Sequence, residues 1–194
     1  MGKFIAHYEL FKRAIDKQGV IVECGVFKGT SLVRFAGFRK LLDKNQERKI
    51  VAFDTFEDFP LTEFVPDKKL RDKLITDAGS QSISTSQLME VLRHKESGAG
   101  VELVAGDIDK TVPEYVRNNP DLQIALLNID VDIYEPTVTI LKYLYPLVVS
   151  GGIVMLDDYG VFPGETKAVD EYFNGKIDIR KLSYSKTPQY IIKP

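Results

Sequence analysis

"IALLNIDVDIYEPT", residues 124–137, begins as one kind of structure and ends as another. Ile124 to Leu127 is an unbroken apolar run, the pattern of a strand whose two faces are both covered. Asp130 and Asp132 follow, then Tyr134, Glu135 and Pro136, the last acceptable in the first turn of a helix. The unit is therefore buried strand, acidic turn, helix. "GGIVMLDDYG", residues 151–160, repeats the device with Asp157 and Asp158.

Working outward, the same alternation covers the rest of the chain. "FIAHYELFKRAIDKQG" (4–19) spaces Phe4, Ile5, Tyr8, Phe11 and Ile15 near helical intervals, with Gly19 as a C-terminal stop. "VIVECGV" (20–26) reads as a buried strand, and glycine-rich "FKGTS" (27–31) opens a helix over 31–45. "KIVAFDTF" (49–56) is a second strand and "VELVAGD" (101–107) a third, followed by a helix over 111–119. Helices over 136–148 and 165–173 flank the fifth strand, 151–158. The polar segment 57–100, with Pro60, Pro66 and many serines, reads as an excursion holding helices over 67–75 and 85–94, and as a mobile cover. The tail, 177–194, reads as two strands with a turn between them.

Five strands alternating with helices predict an α/β fold, a mostly parallel sheet covered on both faces. The terminal pair adds an antiparallel edge, making seven strands. With 194 residues, 44% hydrophobic and 28% charged, and no linker or repeat, the chain reads as a single domain, 1–194. A net charge of −2 offers no basic surface for nucleic acid or an anionic membrane. No apolar run approaches the roughly 20 residues of a membrane span, and "MGKFIAHYEL" lacks a signal-peptide core. The lone cysteine, Cys24, is expected as a small core residue, consistent with a reducing, cytoplasmic setting.

In open α/β sheets ligands bind beyond the carboxyl ends of the strands, where the strand order reverses. The polar residues of interest all lie at such ends: Glu23, Gly25 and Gly29, then Asp54, Asp107, the pair Asp130 and Asp132, and the pair Asp157 and Asp158. In "ECGVFKGTS" (23–31) the glycines permit close approach of backbone to a ligand, and the helix N-terminus offers free N–H groups. It is neither a dinucleotide fingerprint nor a Walker loop. Asp54 is placed to accept hydrogen bonds from ribose hydroxyls, and Asp107 to meet an exocyclic adenine amine with Ile108 on the ring face. The competing reading of both acids is turn chemistry.

Three or four carboxylates brought together repel and raise one another's pKa unless a cation compensates. Oxygen ligands suit Mg²⁺, Mn²⁺ or Ca²⁺, and the lack of clustered His or Cys disfavours zinc. The acids of the fourth and fifth strands are thus expected to hold a divalent metal. The alternative is helix capping, since Asp132 lies just before the helix near Pro136. His7 and His94 read as surface or core residues on helices, and Lys68, Lys69, Arg71 and Lys73 as a solvated helix face. The Tyr-x-x-x-Lys spacing in "YELFK" (8–12) precedes the first strand and is set aside.

Taken together, "VECGVFKGTSLVRFAGF", "VAFDTFEDFP", "LLNIDVDIYEPTVTILKYLYPLVVSGGIVMLDDYG" and "GETKAVDEYF" resemble the macrocin O-methyltransferase family, a branch of the class I S-adenosylmethionine methyltransferases. The resemblance runs from about residue 20 to 173. It implies a Rossmann-like class I methyltransferase fold and a metal-dependent O-methyltransferase acting on a sugar, polyol or natural-product hydroxyl. The cofactors it implies are S-adenosylmethionine and Mg²⁺ or another hard divalent cation. Glu23, Gly25 and Gly29 would line the methionine end of the cofactor, with Val26, Phe27, Thr30 and Ser31 of the same turn also among the cofactor-binding residues. Asp54 and Thr55 would take the ribose, Asp107 and Ile108 the adenine, with Asp130 also at the cofactor. Asp130, Asp157 and Asp158 match the family's metal ligands, and Asp132 is the candidate base, with Asp130 beside it in catalysis.

The partner to expect is a small-molecule or glycan acceptor, and a homodimer is compatible with the chain. Two other readings remain. "DVD" (130–132) resembles the DxD element of metal-dependent glycosyltransferases, and a non-catalytic cofactor-binding protein would share the glycine turn.

Overall fold

The structure, a computed structural model, describes residues 1–43 and 48–194. Helix α1 (Gly2–Ala14) leads into β1 (Val20–Cys24), α2 (Thr30–Leu42) and β2 (Ile50–Asp54). Two helices, α3 (Val65–Ala78) and α4 (Thr85–His94), precede β3 (Val101–Ala105) and α5 (Ile108–Asn118). Then come β4 (Ile124–Ile129), α6 (Tyr134–Tyr143), a 3₁₀ turn (Tyr145–Leu147), β5 (Val148–Leu156) and α7 (Pro163–Phe173). The chain closes with β6 (Arg180–Lys181) and β7 (Gln189–Ile192).

The seven strands form one sheet in the order β3-β2-β1-β4-β5-β7-β6. The first five are parallel, and β7 runs antiparallel to both β5 and β6. Alternation along each strand explains the continuous apolar runs. Val51, Val22, Leu127, Val154 and Ile191 are register partners in one row across the sheet. That row packs under α5, α6 and α7 through Val112, Ile140 and Val169. Their chain neighbours Ile50, Ile21, Leu126 and Ile153 point the other way, under Phe11 of α1, Phe35 of α2 and Leu88 of α4. Each such buried side chain contributes roughly 1.5–3 kcal/mol. Cys24 belongs to the first of these cores and is fully buried.

Several boundaries differ from expectation, for local reasons. Helix α1 stops at Ala14 rather than running to Gly19. The Arg48 guanidinium donates to the carbonyls of Ile15 (2.7 Å) and Gly19 (2.8 Å), giving the ending chain a partner no helical turn supplies. The helix expected to start at Thr111 begins at Ile108, because Asp107 caps it by accepting from Asp109 N at 3.0 Å. Helix α2 ends at Leu42; Lys44 and Asn45, the last residues of its expected span, lie outside the described residues. Arg71 is not part of a solvated face: it is half-buried and donates to the carbonyls of Pro60 (2.7 Å) and Phe59 (3.1 Å). Lys68, Lys69 and Lys73 are exposed as expected. No helix among the described residues is long and apolar enough to cross a membrane.

From β1 the order runs one way to β2 and β3, and from β4 the other way to β5, so the switch point lies between β1 and β4. A crevice forms there, beyond the carboxyl ends of the two strands.

Candidate active site

At the switch point the strand ends remain laced together past the ladder. Asp130 N donates to Cys24 O and Asp157 N to Ile129 O, both at 2.9 Å. Backbone pairing therefore sets the carboxylates side by side: one oxygen each from Asp130, Asp157 and Asp158 lies within 4.8 Å of the others. Asp132 follows with φ +63°, a left-handed conformation that costs a non-glycine residue and turns the chain sharply into α6. The capping alternative for Asp132 is not what the structure shows, since α6 has Ile133 at its cap and no side-chain bond from its own segment.

Burial and mutual repulsion dominate the electrostatics. Burial first, then Asp157 and Asp158, drives Asp130 well above the usual carboxylate range. Asp132 is raised well above it by burial and Asp158. Asp158 is pushed up to about 6 by burial and Asp157. Asp157 is the exception. Burial opposes its charge, yet His7 Nε2 at 3.2 Å and the adjoining Lys3 ammonium outweigh it and hold the carboxyl at about 2. Lys3 in turn is held above its ordinary value, because Asp130, Asp157 and Asp158 overcome its own desolvation.

Three contributors escaped the sequence reading, Lys3 among them. His7, expected as an ordinary helical histidine, is fully buried on α1 and faces the acid cluster, whereas His94 is exposed. Glu165, from the first turn of α7, is also fully buried. Its Oε1 accepts from Asp158 N at 3.3 Å, and burial with the charges of Asp158 and Asp157 raises its pKa well above normal. The only available signal for Glu165 was its place in the helix after the fifth strand. Asp158 Oδ2 and Glu165 Oε2 are buried without a hydrogen-bond partner. An oxygen-only donor set with orphaned buried oxygens fits a hard divalent cation.

Beside the acids lies a cavity of about 300 Å³. It is lined by Gly25 and Phe27 from the first turn, by Asp54 and Thr55, by Asp107 and Ile108, and by Asp130 and Asp132. The cover segment supplies Phe59, Pro60, Leu61, Glu63 and Ser82 to the same wall. Among the other expected binding residues, Glu23, Val26, Gly29, Thr30 and Ser31 do not line it. Glu23 is fully buried; Asn128 Nδ2 donates to its Oε1 at 3.4 Å, and its Oε2 has no partner. Burial pushes this carboxyl up to about 8.

The two glycines of the turn answer to protein contacts. A side chain at Gly25 (φ +89°) would meet Asp130 O at 1.8 Å, and one at Gly29 (φ +78°) would meet Leu88 Cδ1 at 2.7 Å. Gly25 lets β1 and β4 converge, and Gly29 admits α4. Asp54 is similarly engaged. Its Oδ2 accepts from Val26 N (2.7 Å) and Phe27 N (3.0 Å), its Oδ1 from Phe56 N (2.7 Å) and Ser82 Oγ (2.8 Å). Asp107 is exposed, caps α5 and pairs with Lys110 at 3.0 Å.

Comparison with known proteins places the chain in a family. The macrocin-O-methyltransferase (TylF) family model matches residues 9–181. Demethyldecarbamoylnovobiocin O-methyltransferase of Streptomyces niveus is 30% identical over 165 residues, 83% of this chain and 60% of its own length. The chain thus spans less than two thirds of that curated relative. Among solved structures, the calicheamicin methyltransferase CalS11 superposes with a TM-score of 0.81 at 31% identity, covering 97% of this chain and 77% of that one. The O-methyltransferase NovP gives a TM-score of 0.83 at 25% identity, covering 99% and 79%. In its apo form CalS11 is described as a TDP-rhamnose 3'-O-methyltransferase. The chain belongs to the macrocin-O-methyltransferase family, and its sheet is that of the class I methyltransferases.

Proposed function

From membership in the macrocin-O-methyltransferase family we propose that this chain transfers a methyl group from S-adenosylmethionine to a hydroxyl of a sugar or related natural product, aided by a hard divalent cation. The observation that carries the reading is the convergence of Asp130, Asp157 and Asp158 at the switch point, beside a cavity bounded by the first three strand ends. The relatives named above supply the acceptor class.

In this reading the cavity takes the cofactor. Ile108 offers an apolar face and Asp107 an acceptor at the adenine end. Thr55 and Ser82 stand at the ribose end with Asp54, whose protein donors, three backbone amides among them, make it a brace for the turn as much as a ribose acceptor. Glu23 lies behind the cavity wall, fully buried with Oε2 unpartnered, and would meet the cofactor's ammonium group once the turn at Gly25 yields to the cofactor.

Asp130, Asp157 and Asp158 would hold Mg²⁺ or a similar cation, which when bound supplies Lewis-acid chemistry that lowers the pKa of an acceptor hydroxyl. His7 and Lys3 keep Asp157 ionised in the metal-free protein, and the Lys3 ammonium competes with a cation for that carboxylate. Asp132 lines the cavity and would take the hydroxyl proton as methyl transfer proceeds. The cover residues Phe59, Pro60 and Leu61 line the same cavity and, on closing over a bound cofactor, would exclude water from the reacting groups.

The test is a screen of sugar nucleotides, glycans and small polyols with labelled S-adenosylmethionine, run with Mg²⁺ and with chelator. Label transferred to a hydroxyl only in the Mg²⁺ arm supports the proposal. Calorimetry showing affinity for UDP-sugars and none for S-adenosylhomocysteine would overturn it.

A further inference from the structure

Asp67, on the cover helix α3, is fully buried although its neighbours Lys68 and Lys69 are exposed. Its two oxygens reach two different helices. Oδ1 accepts from Gly164 N at 2.7 Å and Oδ2 from Tyr134 N at 3.1 Å. These amides open α7 and α6, and neither helix has a side-chain cap of its own. One carboxylate thus serves both N-termini, where partial positive charge favours an anion.

The fit leaves no slack. A side chain on Gly164 would come 1.9 Å from Asp67 Oδ2 and 2.5 Å from Tyr134 N. A reciprocal bond runs the other way. Glu135 on α6 accepts from Glu63 N (2.9 Å) and Phe64 N (3.1 Å), just before α3, and from Thr62 Oγ1 (2.9 Å). The cover and the two site helices therefore hold each other by buried or half-buried charge-assisted bonds in both directions.

The clamped amides sit next to the chemistry. Tyr134 is two residues after Asp132, across a tight turn in which Ile133 N donates to Val131 O at 2.6 Å. Gly164 immediately precedes Glu165, which binds Asp158 N. We propose that Asp67 is a positioning residue: the strand ends bring Asp130, Asp157 and Asp158 together, and seating α3 caps α6 and α7 at once, fixing the turn at Asp132 and the Glu165 bond to Asp158 N that flank those acids. The proposal rests on the reading of that cluster as a working metal site.

Asp67→Asn and Gly164→Ala attack the clamp differently, since the second changes no charge; Asp77→Asn, exposed on the same helix, is the charge control. Mn²⁺ affinity by calorimetry and amide exchange by mass spectrometry are measured for each. Both clamp variants should weaken Mn²⁺ binding several-fold and raise exchange together in α3 and in the first turns of α6 and α7, by about tenfold, the scale of a lost cap. Asp77→Asn should change neither.

Mn²⁺ affinity within twofold of the parent in both clamp variants, with faster exchange confined to α3, overturns the proposal. If the parent protein itself binds no Mn²⁺, the metal reading fails separately. The clamp is then judged by exchange alone: joint opening of the three segments upholds it, and opening of α3 alone overturns it. If the variants do not fold, exchange of the parent in mild denaturant decides, since the three segments must open as one unit with one free energy.

Discussion

His7 Nε2 lies 3.2 Å from Asp157 Oδ1, a contact between two buried side chains 150 residues apart in the chain. It joins the first helix to the end of β5 and gives the acid cluster a partner from a segment that precedes the sheet. His7→Ala would leave Asp157 with Lys3 alone and raise its pKa. The loss should be about 1–3 kcal/mol of stability, the cost of stranding a buried polar group. Urea unfolding of the metal-free protein measures this, and an unchanged midpoint would show the contact to be idle.

The cluster itself makes a second set of expectations. Asp157→Asn should weaken Mn²⁺ binding while leaving affinity for S-adenosylhomocysteine intact, because the cavity wall lies elsewhere. Asp132→Asn should retain the metal and lose turnover, as a base would and a ligand would not. Lys3→Ala should tighten Mn²⁺ binding by removing a competing positive charge from Asp157. Calorimetry on the three variants separates these roles, and a tighter-binding Asp157→Asn would contradict the ligand assignment.

Asp54 tests whether the cofactor turn is braced from below. Asp54→Ala strands Val26 N, Phe27 N, Phe56 N and Ser82 Oγ at once. Both fold stability and S-adenosylhomocysteine affinity should drop, each by about 1–3 kcal/mol. A loss of affinity with no loss of stability would instead mark Asp54 as a direct ribose acceptor only.

Glu23 sets a pH dependence. Its carboxyl rises from 4.5 to about 8 on folding, so the folded state binds a proton more tightly than the unfolded chain between those values. This contribution to stability is fully present below the unfolded value and is lost as pH climbs toward 8, at up to about 1.4 kcal/mol per pH unit. Thermal melts of the ligand-free protein should therefore fall across that window, and Glu23→Gln should make the fall shallower, the raised Asp130, Asp132, Asp158 and Glu165 supplying the rest. If the cofactor ammonium pairs with Glu23, S-adenosylhomocysteine binding near neutral pH should also release a proton, visible as a buffer-dependent binding enthalpy.

We expect segment 57–100 to behave as a cover that tightens on the cofactor. Phe59, Pro60, Leu61, Glu63 and Ser82 all reach the cavity. Hydrogen exchange across this segment should slow with S-adenosylhomocysteine bound. Equal protection in both states would remove the idea.

What the sequence determined by itself was whatever follows from short-range pattern. Unbroken apolar runs such as Ile124 to Leu127 announce strands buried on both faces, and their alternation with helices leaves a parallel sheet as the arrangement that covers them. An acid at the end of a strand in such a sheet must lie at its carboxyl edge, so a gathering of the acids of the fourth and fifth strands was legible from pattern, while the particular set Asp130, Asp157 and Asp158 was what the family resemblance implied. Long-range partners were not. Nothing near His7 in the chain points to Asp157, nothing near Asp67 points to Gly164 and Tyr134, and Arg71 sits among lysines that do face solvent. The same residue types cap helices, line surfaces or fill turns, and their local neighbours are alike in each case. Burial separates them: a charged group taken out of water must find a partner wherever the packed fold brings one, and only the tertiary structure decides which.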